Sequence, residues 1–120
     1  MKQNIHRIKL LPLDKLFSDY IRKRANGVCE VCGNPTEYKK LQTSHFFGRR
    51  NRQVRWNPDN AVAVCFGCHR KFHESPAYHY EWFTKHLGER FEYLQYQANM
   101  IQKLDLQAIE LYLKEKIKEL

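Results

Sequence analysis

The residues best suited to do chemistry are four cysteines and a set of histidines spread over the middle of the chain. Cys29-Glu30-Val31-Cys32 and Cys65-Phe66-Gly67-Cys68 are two C-x2-C pairs separated by 32 residues. Two such knuckles can bring four thiolates into a tetrahedron around one Zn²⁺, with Gly33 and Gly67 letting the backbone turn tightly around the ion. Four buried free thiols or a single redox pair would leave the second C-x2-C unexplained. Four protein ligands leave no open coordination position, so this zinc would be structural. In a chain of 120 residues it would add stability that a small apolar core supplies only in part.

Beside these knuckles lie His45, Asn60, His69 and His73. His69 and His73 are four residues apart, which puts both imidazoles on one face of a helix where they can share a metal. On spacing alone, a metal pair and a solvent-facing pair beside Lys71 remain equally open. Arg49, Arg50, Arg52 and Arg55 fall between His45 and Asn60, where they could grip phosphates.

These groups need elements to hold them. Leu13, Leu16, Phe17, Tyr20 and Ile21 follow helical spacing, with Pro12 opening the helix and Gly27 closing it. Arg22, Lys23 and Arg24 in its last turns suit the negative end of the helix dipole and equally suit phosphate contact. Residues 1–11 read as an extended arm. Leu41 to Phe47 and Ala61 to Val64 read as strands flanking the turn cluster Asn57-Pro58-Asp59-Asn60, and a helix from Phe66 or Gly67 carries Cys68, His69 and His73. The second knuckle thus falls at a strand-to-helix junction. Helices follow over Tyr78 to Leu87, ended by Gly88, then from about Glu89 to Lys103, and then from an N-cap at Asp105. In the last, Leu106, Ile109, Leu113, Ile117 and Leu120 line one face, a stripe for core packing or for a homodimer seam.

Composition narrows the class further. The chain carries 21 Lys and Arg against 13 Asp and Glu, a formal charge of +8. All of the excess lies in residues 1–60, which hold 13 basic and 5 acidic groups, while residues 81–120 hold 6 and 7. A one-sided basic surface points to a nucleic acid or another polyanion, or else serves solubility. With 42% hydrophobic and 28% charged residues the chain is neither a membrane span nor a disordered segment. No signal-peptide stretch is evident, so a cytoplasmic location is expected, where cysteines serve metals or redox chemistry rather than disulfides.

The stretches Ser44-His45-Phe46-Phe47, Trp56-Asn57-Pro58-Asp59-Asn60-Ala61-Val62-Ala63-Val64 and Cys65-Phe66-Gly67-Cys68-His69-Arg70-Lys71-Phe72-His73 resemble the HNH endonuclease motif, a ββα-metal element. The intervals of fifteen, nine and four residues between His45, Asn60, His69 and His73 look like those of the family. Leu13-Asp14-Lys15-Leu16-Phe17-Ser18, Arg49-Arg50 after Ser44-His45-Phe46, and Arg55-Trp56 ahead of Asp59-Asn60 are similar to phage recombination nucleases of the Rap/NinG type. The resemblance covers roughly residues 13–103. It implies a metal-dependent DNA endonuclease acting on branched recombination intermediates, in a bacterial host cell if phage-encoded. It also implies His45 as general base, Asn60 as the residue holding the His45 loop, and His69 and His73 as ligands of a catalytic divalent ion (Mg²⁺, Mn²⁺ or another transition metal). The sequence departs from many HNH enzymes at Ser44, where Asp or His would be a third ligand. Asp59 and Glu74 are the nearby carboxylates that could substitute.

The expected fold is α+β: a single domain over residues 1–120, with an N-terminal helix (13–27), a zinc-stapled, treble-clef-like ββα-metal core (28–75) and a C-terminal helical extension (76–120). The competing functional reading is a non-catalytic zinc-stapled DNA-binding accessory protein, which needs the knuckles and the basic half but not the histidines.

Overall fold

The computed structural model describes residues 8–120; most of the expected arm, residues 1–7, lies outside the described part. Among the described residues there are five α-helices and one two-stranded antiparallel sheet. Helix α1 (Pro12–Arg24) begins with proline at its first position, where a missing N–H costs nothing. It ends in a turn through Asn26 (φ 53°) and Gly27 (φ 81°). Strands β1 (Gln42–His45) and β2 (Ala61–Val64) pair in the register Gln42 with Val64 and His45 with Ala61. Helices α2 (Phe66–Glu74), α3 (Pro76–Leu87) and α4 (Glu89–Ala98) follow, and α5 (Leu106–Lys118) returns to pack on α1.

The sheet is buried on both faces, which explains why β2 is an unbroken apolar run rather than an alternating one. Its side chains divide by parity. Val62 and Val64 enter a cluster with Phe72, Phe83, Leu87, Phe91 and Leu94 from α2, α3 and α4. Ala61 and Ala63 face Phe17, Tyr20 and Ile21 of α1 and Leu113 of α5. The small alanines let α1 approach closely on one side, and the valines fill the wider space on the other. Two cores therefore share one thin sheet, and whatever sits at the sheet's end is held from both sides.

Several boundaries differ from the sequence reading: α1 runs from Pro12 to Arg24 rather than over 13–27, and β1 starts at Gln42 rather than Leu41. The first strand stops at His45 instead of Phe47, because β2 offers only four residues to pair with and Phe46 turns away. Its ring lies 5.2–5.3 Å from those of Phe83 and Phe91. Helix α4 ends at Ala98 rather than near Lys103, since the chain must turn back toward α1. The Asn99 amide donates to the Gln95 carbonyl, while Asn51 Nδ2 reaches the Ala98 carbonyl at 3.2 Å. Helix α3 starts two residues early, at Pro76, capped by the Ser75 hydroxyl accepting from Tyr78 N–H.

The apolar stripe of α5 is used within the chain. Leu113 is fully buried, and Ile109 and Ile117 pack against the α1 cluster. The stripe's ends, Leu106 and Leu120, are 38% and 60% exposed. The centre of the face considered for a homodimer is thus covered by α1. Among the described residues no helix is long and apolar enough to cross a membrane.

Candidate functional site

Residues 28–36 form a narrow turn-back held by a bridge between Val28 and Pro35, with Cys29 N–H donating to the Asn34 carbonyl and Gly33 N–H to the Cys29 carbonyl. Gly33 adopts φ 76°, a left-handed conformation that glycine reaches without steric cost. Gly67 is different: it is not among the positive-φ glycines and lies in the first turn of α2. The second knuckle is made by helix initiation at Cys65, so the expected tight glycine turn is needed only in the first.

The two knuckles bring the sulfurs of Cys29, Cys32, Cys65 and Cys68 within 4.8 Å of one another. Cys32 Sγ and Cys65 Sγ are 3.9 Å apart, close to the roughly 3.8 Å edge of a tetrahedron with zinc–sulfur bonds of about 2.3 Å. The thiols are electrostatically unequal. Burial pushes Cys29 up, but backbone N–H groups of Cys32, Cys65 and Val31 more than offset it and bring its pKa down to about 7. Burial and the neighbouring thiols push Cys68 well above the ordinary thiol range. Four soft donors at tetrahedral spacing, one readily ionised, suit a structural zinc ion.

This cluster is tied to the sheet. Glu30, inside the first knuckle, donates its N–H to the Ala63 carbonyl and accepts Ala63 N–H on its carboxylate at 2.7 Å. Arg24 donates to the carbonyls of Pro58 and Ala61 and pairs with Glu30 at 3.5 Å. Of the two roles open to Arg24, the structure shows a third: a cross-brace from α1 to the knuckle and to the start of β2.

A cleft of about 380 Å³ opens between β1 and α2, lined by Thr43, Ser44, His45, Gly48, Arg49, His69, Phe72, His73 and His79. His69 and His73 present their Nε2 atoms 3.2 Å apart. His69 Nδ1 lies 2.5 Å from Gln42 Oε1 on β1. His45 packs on the ring of Phe17, with ring centroids 5.5 Å apart, and its Nε2 is buried without a hydrogen-bond partner. Burial above all, together with the positive charges of Arg49 and Arg55, brings the His45 pKa down to about 4 despite an opposing backbone hydrogen bond with Arg55. His45 is therefore neutral near pH 7.

Asn60 is fully buried and its amide is committed at both ends. Oδ1 accepts Phe47 N–H at 2.8 Å, Nδ2 donates to the Phe47 carbonyl at 2.9 Å, and Phe46 N–H donates to the Asn60 carbonyl at 2.8 Å. These three bonds clamp the two residues that follow His45. An amide in that place must be both donor and acceptor, a demand that Asp or Leu would not meet.

The four arginines separate. Arg49 lines the cleft. Arg50 lines an adjoining hollow with Phe47, Gly48 and Arg49, and exposed Arg52 lies over the Trp56 ring at 5.4 Å. Arg55 must be corrected: it is 4% exposed and cannot meet a phosphate from solvent. Its guanidinium makes a two-pronged pair with Asp14, Nε to Oδ1 at 2.9 Å and Nη2 to Oδ2 at 2.6 Å, and also donates to the Lys9 carbonyl. Trp56 Nε1 and Leu11 N–H complete the shell of the same carboxylate. The run of arginines hid this role because the partner, Asp14, is 41 residues away.

Ser44 is buried beside His45. Asp59 lies in a turn capped by Asn57, whose Oδ1 accepts Asp59 N–H, and its carboxylate accepts from Arg90 at 2.8 Å, while Glu74 pairs with Arg70 on the surface. Neither carboxylate joins the histidines. Sequence reasoning missed His79, which lines the cleft, and Gln42, which contacts His69 from β1. His79 comes from α3, packs against Phe46, Phe72 and Phe83, and leaves its Nε2 buried without a hydrogen-bond partner. Its lone position outside any motif offered no signal. Among the described residues the four cysteines are the one group of three or more ligating side chains close enough to share an ion; His69 and His73 form a pair.

Comparison with known proteins adds no relative: no family model matches the chain, and no curated protein or solved structure matches it.

Proposed function

We propose that the protein is a metal-dependent DNA endonuclease of the HNH type, with a treble-clef-like ββα-metal core. The observation that carries this reading is the joint opening of His45, His69, His73 and Arg49 onto one cleft, below a loop clamped by Asn60. Two imidazole nitrogens sharing a divalent cation at bonds of about 2.1 Å stand roughly 3.0–3.4 Å apart, and the 3.2 Å between His69 and His73 fits that span. Such a cation supplies Lewis-acid stabilisation of a leaving oxygen when bound.

The chain's own residues divide the remaining work. His45, neutral at pH 7, is the proton acceptor for the attacking water on the resemblance; its buried Nε2 and pKa of about 4 make it a weaker base than an ordinary imidazole. Asn60 keeps the His45 loop in place through Phe47. Arg49 offsets the charge that grows on the phosphoryl oxygens. The basic first half of the chain favours a polyanionic substrate, and Arg50 and Arg52 contact backbone phosphates rather than base edges. Branched recombination intermediates are the proposed substrate class, on the resemblance alone.

The test is incubation of the zinc-loaded protein with linear, forked and four-way DNA in Mg²⁺, Mn²⁺ or EDTA. Cleavage that requires the added metal, and is lost in His45→Ala with DNA affinity retained, supports the reading. Binding without cleavage in either metal refutes it and leaves the zinc-stapled DNA-binding module.

A further inference from the structure

An imidazole that binds a cation through one nitrogen needs its other nitrogen engaged, because that bond decides which nitrogen carries the proton and fixes the ring's rotation. His69 has such a partner within the protein. Gln42 Oε1 lies 2.5 Å from His69 Nδ1, and an amide oxygen can only accept. Nδ1 therefore carries the hydrogen, and Nε2, the atom facing His73 Nε2 at 3.2 Å, is left with its lone pair free.

The placement follows from the fold. Gln42 is the first residue of β1 and stands opposite Val64, the last residue of β2. Cys65 comes next, and α2 starts at Phe66, so His69 lies one turn into the helix, above the start of the neighbouring strand. The two side chains are 27 residues apart in sequence but meet because the strand pairing and the second cysteine knuckle fix α2 against β1. His73, one helical turn further on, has no such strand residue beneath it and is exposed. Of the paired histidines, His69 is the one that is oriented in advance.

We infer that Gln42 is a positioning residue for the cleft: it holds His69 in the Nδ1–H tautomer with Nε2 directed at the position shared with His73. This rests on the endonuclease reading for its purpose, while the tautomer itself depends only on the Gln42–His69 contact. No covalent step involves Gln42.

The experiment uses zinc-loaded full-length protein, so that added Mn²⁺ reports on the histidine pair and not on the cysteines. Mn²⁺ affinity is read by electron paramagnetic resonance of the free ion, and the His69 tautomer by ¹⁵N chemical shifts of the ring. Gln42→Leu should weaken Mn²⁺ binding by about 10–100-fold and turn His69 into a mixture of tautomers. Gln42→Glu, which keeps an acceptor oxygen, should retain the Nδ1–H form and bind at least as tightly as the wild type. Should Gln42→Leu lose its zinc or its cooperative melting, Gln42→Asn, one methylene too short to reach the ring, gives the same reading.

A wild-type ring found in the Nε2–H form overturns the inference, as does a Gln42→Leu protein that binds Mn²⁺ normally with an unchanged tautomer. A wild type that binds no Mn²⁺ and cuts no DNA instead overturns the endonuclease reading, and is distinguishable because the tautomer would still respond to Gln42→Leu.

Discussion

Replacing Asp14 by leucine removes the carboxylate that neutralises Arg55 in a place water does not reach. The two side chains are 5% and 4% exposed. Asp14 accepts four hydrogen bonds: from Leu11 N–H, from Nε and Nη2 of Arg55, and from Trp56 Nε1, at 2.6–3.0 Å. Without it the guanidinium keeps the Lys9 carbonyl as its remaining acceptor. Breaking a buried ion pair from one side costs about 3–5 kcal/mol. A domain of 120 residues unfolds with an entropy of roughly 0.25 kcal/mol/K, so Asp14→Leu should lower Tm by about 12–20 °C.

Removing both charges is a different perturbation, since apolar replacement of a whole buried pair is often close to neutral. The double variant Asp14→Leu with Arg55→Met should recover most of the loss. Differential scanning calorimetry of the four proteins, all zinc-loaded, completes the cycle. A single-variant loss below about 4 °C, or losses that simply add in the double variant, would refute the claim that Arg55 serves the core rather than DNA. The pH dependence adds a second check. Burial works to raise the Asp14 pKa, but bonds from Arg55, Leu11 and Trp56 hold it below the ordinary carboxylate value of 3.8. The pair's stabilisation is therefore complete above about pH 4 and is lost as pH falls through the depressed folded value. Asp14→Leu should lack that acid limb.

Cys32→Ser should abolish stoichiometric zinc and the cooperative melting transition, because zinc coordination in such sites is worth about 10–16 kcal/mol and is coupled to folding; an unchanged melting curve with full zinc content would contradict the structural-zinc assignment. His45, with a pKa near 4 in the folded chain against 6.5 unfolded, contributes stability that is complete above about pH 6.5 and declines on acidification toward pH 4. Urea titrations at pH 7 and pH 5 should show the wild type losing about 2 kcal/mol more than His45→Gln, and equal losses would remove His45 from the buried neutral state. Arg49→Ala should weaken DNA binding about equally at different sequences and flatten the salt dependence by about one unit of log–log slope, as measured by fluorescence anisotropy; an unchanged slope would place the phosphate contacts elsewhere.

The cysteine cluster was readable from the sequence because C-x2-C spacing is a local property: each pair needs only its own turn, and the fold brings the two pairs together. The helices were readable for a similar reason, since the stripe of Leu13, Phe17 and Tyr20, the opening proline Pro12 and the cap at Asp105 act within a few residues. Their ends were less so. The stop of α4 at Ala98 depends on Asn51, nearly fifty residues earlier, and the stop of β1 depends on the length of its partner strand. The basic run from Arg49 to Arg55 shows the limit most plainly. Four residues of one chemical type lie in one loop, yet one faces the cleft, one lies over an indole and one is buried against Asp14.

What the sequence determined by itself is the α+β element order, the four thiols suited to one ion, and the spacing that places His69 and His73 on one helical face. Only the tertiary structure decided which arginine reaches the cleft, that Gln42 meets His69, that His79 joins the histidines, and that α5 covers α1. Spacing along a chain fixes neighbours within a turn or a strand. Contacts across 27 to 47 residues depend on how two cores close over a shared sheet of two four-residue strands, and no local pattern records that.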